Sequence, residues 1–254
     1  MLEGGDVDLN ENRINGIKLD SNLPPCTQNM LLDLMLGNFP YSDTMGGIEL
    51  INNVFSTIGG SYSPSPIGMV VTYKTGAISG NGETNFENYD STTQTINISV
   101  TISENLINNG TKLAIIKTLL HESMHAYLLK VKQQYPSYFS TSNEFNQLIL
   151  DYQLYENIND PQHIYMANII SNMSNNISNF VEEKYGYPIS TENDYYEAVC
   201  WSGMTHLTDG TINPVFSDNY PDFDDQLNII KIFNTENGTA TYSGYTPLID
   251  NNCN

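Results

Sequence analysis

The residues with the most specific chemistry in this chain are five in a row, His121-Glu122-Ser123-Met124-His125, an H-E-x-x-H pentad inside a long apolar-periodic run. On an α-helix, residues four apart project from one face, so two imidazoles can grip one metal ion while the intervening glutamate reaches a water on it. The chain has only four histidines. Two of them at this spacing around a glutamate therefore read as a metal-binding face rather than an ordinary solvated one. Zn2+ is the cation that suits such a pair. A catalytic zinc keeps one of its four positions for water, so a third protein ligand must come from elsewhere in the chain.

His163 is the preferred third ligand. It sits in Asn159-Asp160-Pro161-Gln162-His163, where Asp160 reads as an N-cap and Pro161 as the first helical residue, a rigid helix start. A helix N-terminus also keeps an imidazole neutral, ready to coordinate. Glu144, which follows His125 at a spacing of 19 residues, is the alternative. It is also accounted for without metal, since Thr141-Ser142-Asn143-Glu144 matches a capping box. Asp151, Glu156 and Asp160 complete the candidates.

The pentad needs a rigid frame, and the apolar pattern supplies one. Leu113, Ile116, Leu120, Met124, Tyr127, Leu128 and Val131 form a helical stripe from about Thr111 to Gln134, with Pro136 just beyond. Before it, Ile96, Ile98, Val100 and Ile102 alternate with Thr95, Asn97, Ser99 and Thr101, the pattern of a half-buried strand over 95–103. A strand-like run at 69–73 precedes a Gly/Asn-rich loop expected over 76–88. Helices are expected from Thr27 to Gly37, after Asp43, from near Thr141, from Asp160 to about Lys184, and from Glu192 to Met204. Beyond Gly210 the pattern loosens, apart from an apolar patch at 227–233. Residues 1–22 are expected to be a poorly ordered polar lead-in, with 23–254 forming a single α+β domain: a small, mostly antiparallel sheet packed against several helices, the pentad helix central.

Bulk properties narrow the partners. Nine basic residues face 29 acidic ones, for a formal net charge of −20. So negative a surface repels phosphate backbones and anionic membranes, which argues against nucleic acid. No apolar stretch is long enough for a transmembrane helix. Met1-Leu2-Glu3-Gly4-Gly5 looks like an artificial start where a signal or lipoprotein leader has been removed. With the Asn/Ser/Thr/Tyr-rich composition, it suggests an extracytoplasmic location. Three cysteines allow one disulfide, Cys26–Cys200 or Cys26–Cys253 being the pairings of interest. Asp218, Asp222, Asp224 and Asp225 lack calcium-loop spacing and read as a solvated loop.

The run Leu119-Leu120-His121-Glu122-Ser123-Met124-His125-Ala126-Tyr127 resembles the active-site helix of zincin-type zinc metallopeptidases. The metzincin subclass is excluded, because it would need Gly and His where the chain has Leu128 and Val131. The order of pentad, Pro-Gln-His helix start and later Ala198-Val199-Cys200-Trp201-Ser202-Gly203 segment resembles uncharacterised secreted SprT-like metallopeptidase families. The resemblance implies a zincin-like fold and a peptide or protein substrate. It also implies a catalytic Glu122 acting as general base, and a sheet edge, here expected at 95–103, that pairs with extended substrate. An oxyanion donor would come from Tyr165, Tyr187, Tyr195, Tyr196 or His206. The alternatives are a non-catalytic binding module with a structural metal, or a metal-dependent hydrolase of a non-peptide substrate.

Overall fold

Apolar and polar residues that alternate strictly must place one side of a strand in a core and the other elsewhere, so the 95–103 segment is where the sheet begins to be understood. The computed structural model describes residues 13–14, 16–36, 68–156, 162–186, 193–206 and 210–247. In chain order its strands are β1 (Arg13–Ile14), β2 (Ile17–Leu19), β3 (Gly68–Gly76), β4 (Gly82–Asp90) and β5 (Thr95–Ser103). Its helices are α1 (Pro25–Leu36), α2 (Glu104–Asn109), α3 (Lys112–Gln134), α4 (Phe145–Tyr155), α5 (Gln162–Tyr185), α6 (Asn193–Cys200), α7 (Pro214–Asn219) and α8 (Phe223–Glu236). The expected helix after Asp43 lies outside the described residues.

The architecture is α+β, but the sheet is mixed rather than mostly antiparallel. Its order is β1-β2-β3-β5-β4. The β2/β3 and β3/β5 junctions are parallel, while β1/β2 and β4/β5 are antiparallel. The chain leaves β3, runs β4 along the rim, turns through residues 91–94 and inserts β5 between the two. That insertion makes β3 and β5 parallel. It also makes β5 an interior strand and not the expected edge; among the described residues, β4 is the outer strand at that end of the sheet.

β4 replaces the loop expected over 76–88. Its sequence, Gly-Glu-Thr-Asn-Phe-Glu-Asn-Tyr-Asp, has no apolar alternation because a rim strand buries little of either face. β2 falls within the expected lead-in, yet Ile17 is fully buried against β3. α1 starts at Pro25, two residues before the expected start at Thr27, which lies inside the helix. α4 starts at Phe145 with Glu144 as its N-cap residue, and Ser142 Oγ accepts the Glu144 N–H at 3.1 Å, so no capping box forms at Thr141. α6 ends at Cys200, where a turn follows through Gly203 at φ 81°. The expected loose C-terminal region contains α7 and α8. Asp222 caps α8 by accepting from Asp224 N at 2.7 Å, and Asp224 and Asp225 lie in its first turn, where the helix dipole favours them. A capped helix start, not a solvated loop, accounts for those three acids. Cys26 is disulfide-bonded while Cys200 is free and buried, which excludes the Cys26–Cys200 pairing.

α3 runs through the middle of the molecule, buried on nearly every face, with β4 and β5 against one side and α1, α4 and α5 against others. A helix enclosed all round needs its end groups satisfied by protein rather than water. Thr111 Oγ1 caps it by accepting from Ala114 N at 3.2 Å. The same hydroxyl donates to the carboxylate of Glu236, a fully buried residue at the end of α8, while Thr111 N donates to the Glu236 carbonyl at 2.8 Å. Thr111→Ala removes the cap and takes a donor from a buried carboxylate. It should cost about 2–3 kcal/mol in urea-unfolding free energy; a loss within error of zero would show that this junction does not hold the helix.

Candidate metal centre

Helical spacing puts His121 and His125 on one face of α3, and both turn a ring nitrogen toward the same carboxylate. His121 Nε2 lies 4.0 Å from Glu122 Oε1 and His125 Nδ1 lies 3.9 Å from Glu122 Oε2. Phe145, the first residue of α4, covers the pair: its ring centroid is 4.0 Å from that of His121 and 5.7 Å from that of His125. Only 12% of the His121 side chain and 15% of the His125 side chain remain exposed. Desolvation therefore dominates both titrations. It holds His121 well below its ordinary value, with nearby Lys117 and then His125 adding to the effect. His125 is also lowered by burial, against a smaller opposing bond to the Asn143 carbonyl. Both rings are neutral at pH 7, the state in which an imidazole can donate a lone pair.

The tautomer of His125 follows from its partner. A carbonyl only accepts, so Nε2, 2.8 Å from Asn143 O, carries the hydrogen and Nδ1 keeps its lone pair on the Glu122 side. The loop presenting that carbonyl is pinned at both ends. Lys132, two turns after His125, donates to Ser142 O at 2.6 Å and Asn143 Oδ1 at 2.8 Å. Asp151 accepts from Ser140 N at 2.7 Å, Ser140 Oγ at 2.8 Å and Gln147 Nε2 at 2.8 Å. On the other ring, His121 Nδ1 is buried with no hydrogen-bond partner. An orphaned buried nitrogen costs about 1–3 kcal/mol. Dry and neutral, the two imidazoles have the chemistry to hold a divalent cation through His121 Nε2 and His125 Nδ1, the nitrogens turned toward Glu122.

Glu122 is buried from the sheet side. Thr84 Oγ1 on β4 donates to Glu122 Oε2 at 2.6 Å. Two residues earlier, a Cβ on Gly82 would stand 2.6 Å from Glu122 Oε1 and 2.7 Å from Cγ, so only glycine lets β4 close over the carboxylate. Burial pushes the Glu122 carboxyl up to about 7; the Thr84 bond and Lys117 oppose this, and Glu83 adds to it. The next residue rivets the same turn to β3. Ser123 Oγ donates to Leu119 O at 2.6 Å and so receives the hydroxyl hydrogen of buried Tyr73 at 2.8 Å. One turn before His121, buried Lys117 donates to the Ser202 carbonyl, and desolvation lowers it to about 8.

The other expected site residues are scattered. His163 lies in the first turn of α5, but its side chain is outside the described residues, as are those of Asp160, Tyr165 and Tyr187. Glu144 is exposed between Asn143 and Phe145, next in sequence to two residues that touch the imidazoles. Asp151 is committed to Ser140 and Gln147, and Glu156 closes the far end of α4. Tyr195 donates to Glu236 at the end of α8, and Tyr196 is in the core. His206 is exposed, with Nδ1 3.0 Å from Thr205 Oγ1. Among the described residues, no three His, Cys, Asp or Glu side chains converge as a ligand set. Gly82, Thr84, Tyr73, Phe145, Asn143, Lys132 and Lys117 escape sequence reasoning because each is ordinary in its local pattern. A lysine within the apolar α3 stripe is the one signal that could have been followed, and it points to Lys117.

Two outcomes follow. The unfolded chain releases the Glu122 proton near pH 4.5 whereas the folded chain keeps it to about pH 7. Stability from this group is thus full below the lower value, falls as pH rises and levels off above the higher one. In metal-free protein, wild-type stability measured against Glu122→Gln should drop by about 3 kcal/mol across that window. Taking the difference cancels the opposite contribution of the imidazoles, and a flat difference would contradict a dry carboxyl. Zinc affinity, read by competition with a chromophoric chelator, should fall about tenfold in Lys132→Met and be kept in Lys132→Arg.

No protein-family model, curated protein or solved structure matches this chain.

Proposed function

We propose that this protein is a zinc-dependent metallopeptidase of zincin-like fold that works outside the cytoplasm. The observation that carries the reading is the pairing of two dry, neutral imidazoles with one buried carboxylate, each imidazole nitrogen about 4 Å from it, beneath the outermost strand at that end of the described sheet. His121 and His125 would hold the zinc, with His163 as third ligand and Glu144 as its rival. Zinc held by these residues would supply Lewis acidity, for activating a water and polarising a carbonyl.

The chain's own groups supply the remainder. Glu122, with its carboxyl poised near 7, is matched to accept a proton at neutral pH and return it to a departing amine nitrogen. Thr84 and Gly82 hold that carboxylate in place. Phe145 keeps water from the imidazoles. β4, the rim strand directly over Glu122, would take the substrate-pairing role expected of 95–103: among the described residues no strand pairs with its outer edge, which can receive an extended peptide as an added strand. The disulfide at Cys26 supports an oxidising, extracytoplasmic setting. No helix among the described residues is long and apolar enough to cross a membrane.

Glu122→Gln is the deciding variant. It should lower kcat on quenched fluorogenic peptides by about 10²–10⁴-fold while zinc content and folding are retained. Unchanged hydrolysis in Glu122→Gln would sink the assignment of the base. Absence of hydrolysis in zinc-loaded wild type, with zinc removal costing mainly thermal stability, would favour a binding module with a structural metal.

A further inference from the structure

Strand parity on β4 divides what an added strand would meet. Gly82 and Thr84 face α3, in register with Ile102 and Val100, and Phe86 and Tyr89 stand opposite Ile98 and Ile96 on that same side. Both aromatics are exposed, at 38% and 39%. Glu83 and Asn85 alternate onto the opposite side, opposite Thr101 and Ser99. Glu87, next after Phe86, falls on that side too, where Ser99 Oγ meets its carboxylate at 2.5 Å, and the register shift before Asn88 returns Tyr89 to the α3 side. Glu83 and Glu87 are exposed, and neither β4 nor its neighbour β5 carries a lysine or arginine. The rim is thus apolar and aromatic along one face and anionic along the other, and among the described residues no strand pairs with the row of backbone donors and acceptors between them.

We propose that β4 selects cationic, amphipathic extended peptides: a bound strand places lysine or arginine beside Glu83 and Glu87 and apolar side chains beside Phe86 and Tyr89. The proposal takes its occupant, an extended peptide, from the peptidase reading and adds its chemistry. Side chains directly across from one another on neighbouring strands sit about 5 Å apart, so charge and apolarity at alternate positions are read independently. The formal net charge of −20 works in the same direction at longer range and hastens encounter with a cationic strand.

Two fluorescein-labelled ten-residue probes test this, one alternating valine with lysine and the other valine with glutamate. Binding is measured by anisotropy on the zinc-loaded full chain carrying Glu122→Gln, so that affinity is read without turnover. The lysine probe should bind at least about tenfold more tightly, with the margin shrinking at high salt. In the same background, the Glu83→Lys/Glu87→Lys double variant should abolish or invert the preference, and the milder Glu83→Gln/Glu87→Gln should narrow it. Equal binding of the two probes, no binding of either, or a preference that survives the charge reversal would overturn the proposal. Cleavage is scored separately with wild type. A lysine probe that binds with the expected charge dependence but is never cut would leave this inference standing and remove the peptidase reading.

Discussion

The contact between Glu122 and Thr84 is the constraint around which the molecule is arranged. A carboxylate cannot be taken from water without a partner, and here the partner comes from a rim strand almost forty residues earlier in the chain. That hydroxyl reaches Glu122 only if β4 lies close to α3, which in turn requires glycine at position 82. Closeness on that side fixes the rotation of α3, and rotation decides where His121 and His125 point. Ser123 and Tyr73 hold the same turn from β3, so three adjacent features of the sheet act on two adjacent residues of the helix. A slip of one residue in β4 would exchange Thr84 for an outward-facing side chain and leave Glu122 unpaired.

What the sheet does for Glu122, the α3–α4 loop does for His125. Lys132 and Asp151 hold a short irregular segment so that one backbone carbonyl selects one tautomer. The two supports differ in durability. The sheet contact is buried and defended by neighbouring strands, whereas Asn143 is exposed and relies on a lysine from the same helix. Opening costs less in such loops than in a core strand. The geometry of His125 is therefore more easily altered than that of Glu122, so the imidazole side of the cluster is softer than the carboxylate side.

Periodicity made the centre of this fold legible and its rim illegible. The α3 stripe reads off its 3.6-residue repeat, with Thr111 capping where the pattern begins, and the position of β5 reads off its alternation, although the strand is not half-buried as expected: Ser99, Thr101 and Ser103 on its polar face are buried too. Phe145, Leu148, Ile149 and Tyr152 mark α4 for the same reason, although its start shifts to Phe145 because Glu144 and Ser142 satisfy the end differently from a capping box. β4 left no such trace. Neither did Gly82 or Thr84, whose roles exist only once two distant segments meet. Parallel pairing of β3 with β5 was equally hidden: nothing local to either strand records that a third inserts its partner from the far side.

The feature that concealed β4 is also what lets it serve at a rim. An exposed edge of hydrophobic alternation would pair with any strand, including another copy of itself, and natural sheets blunt such edges with charge. Glu83 and Glu87 repel a second copy of this acidic chain. The same two carboxylates attract a strand of opposite sign, so a device that suppresses self-association becomes a selection rule for the partner it admits. Phe86 and Tyr89 then supply contact area on the face nearest Glu122, where an added strand has to lie if it is to meet the site. On the proposed reading, self-avoidance and substrate choice are one property of two side chains on this strand.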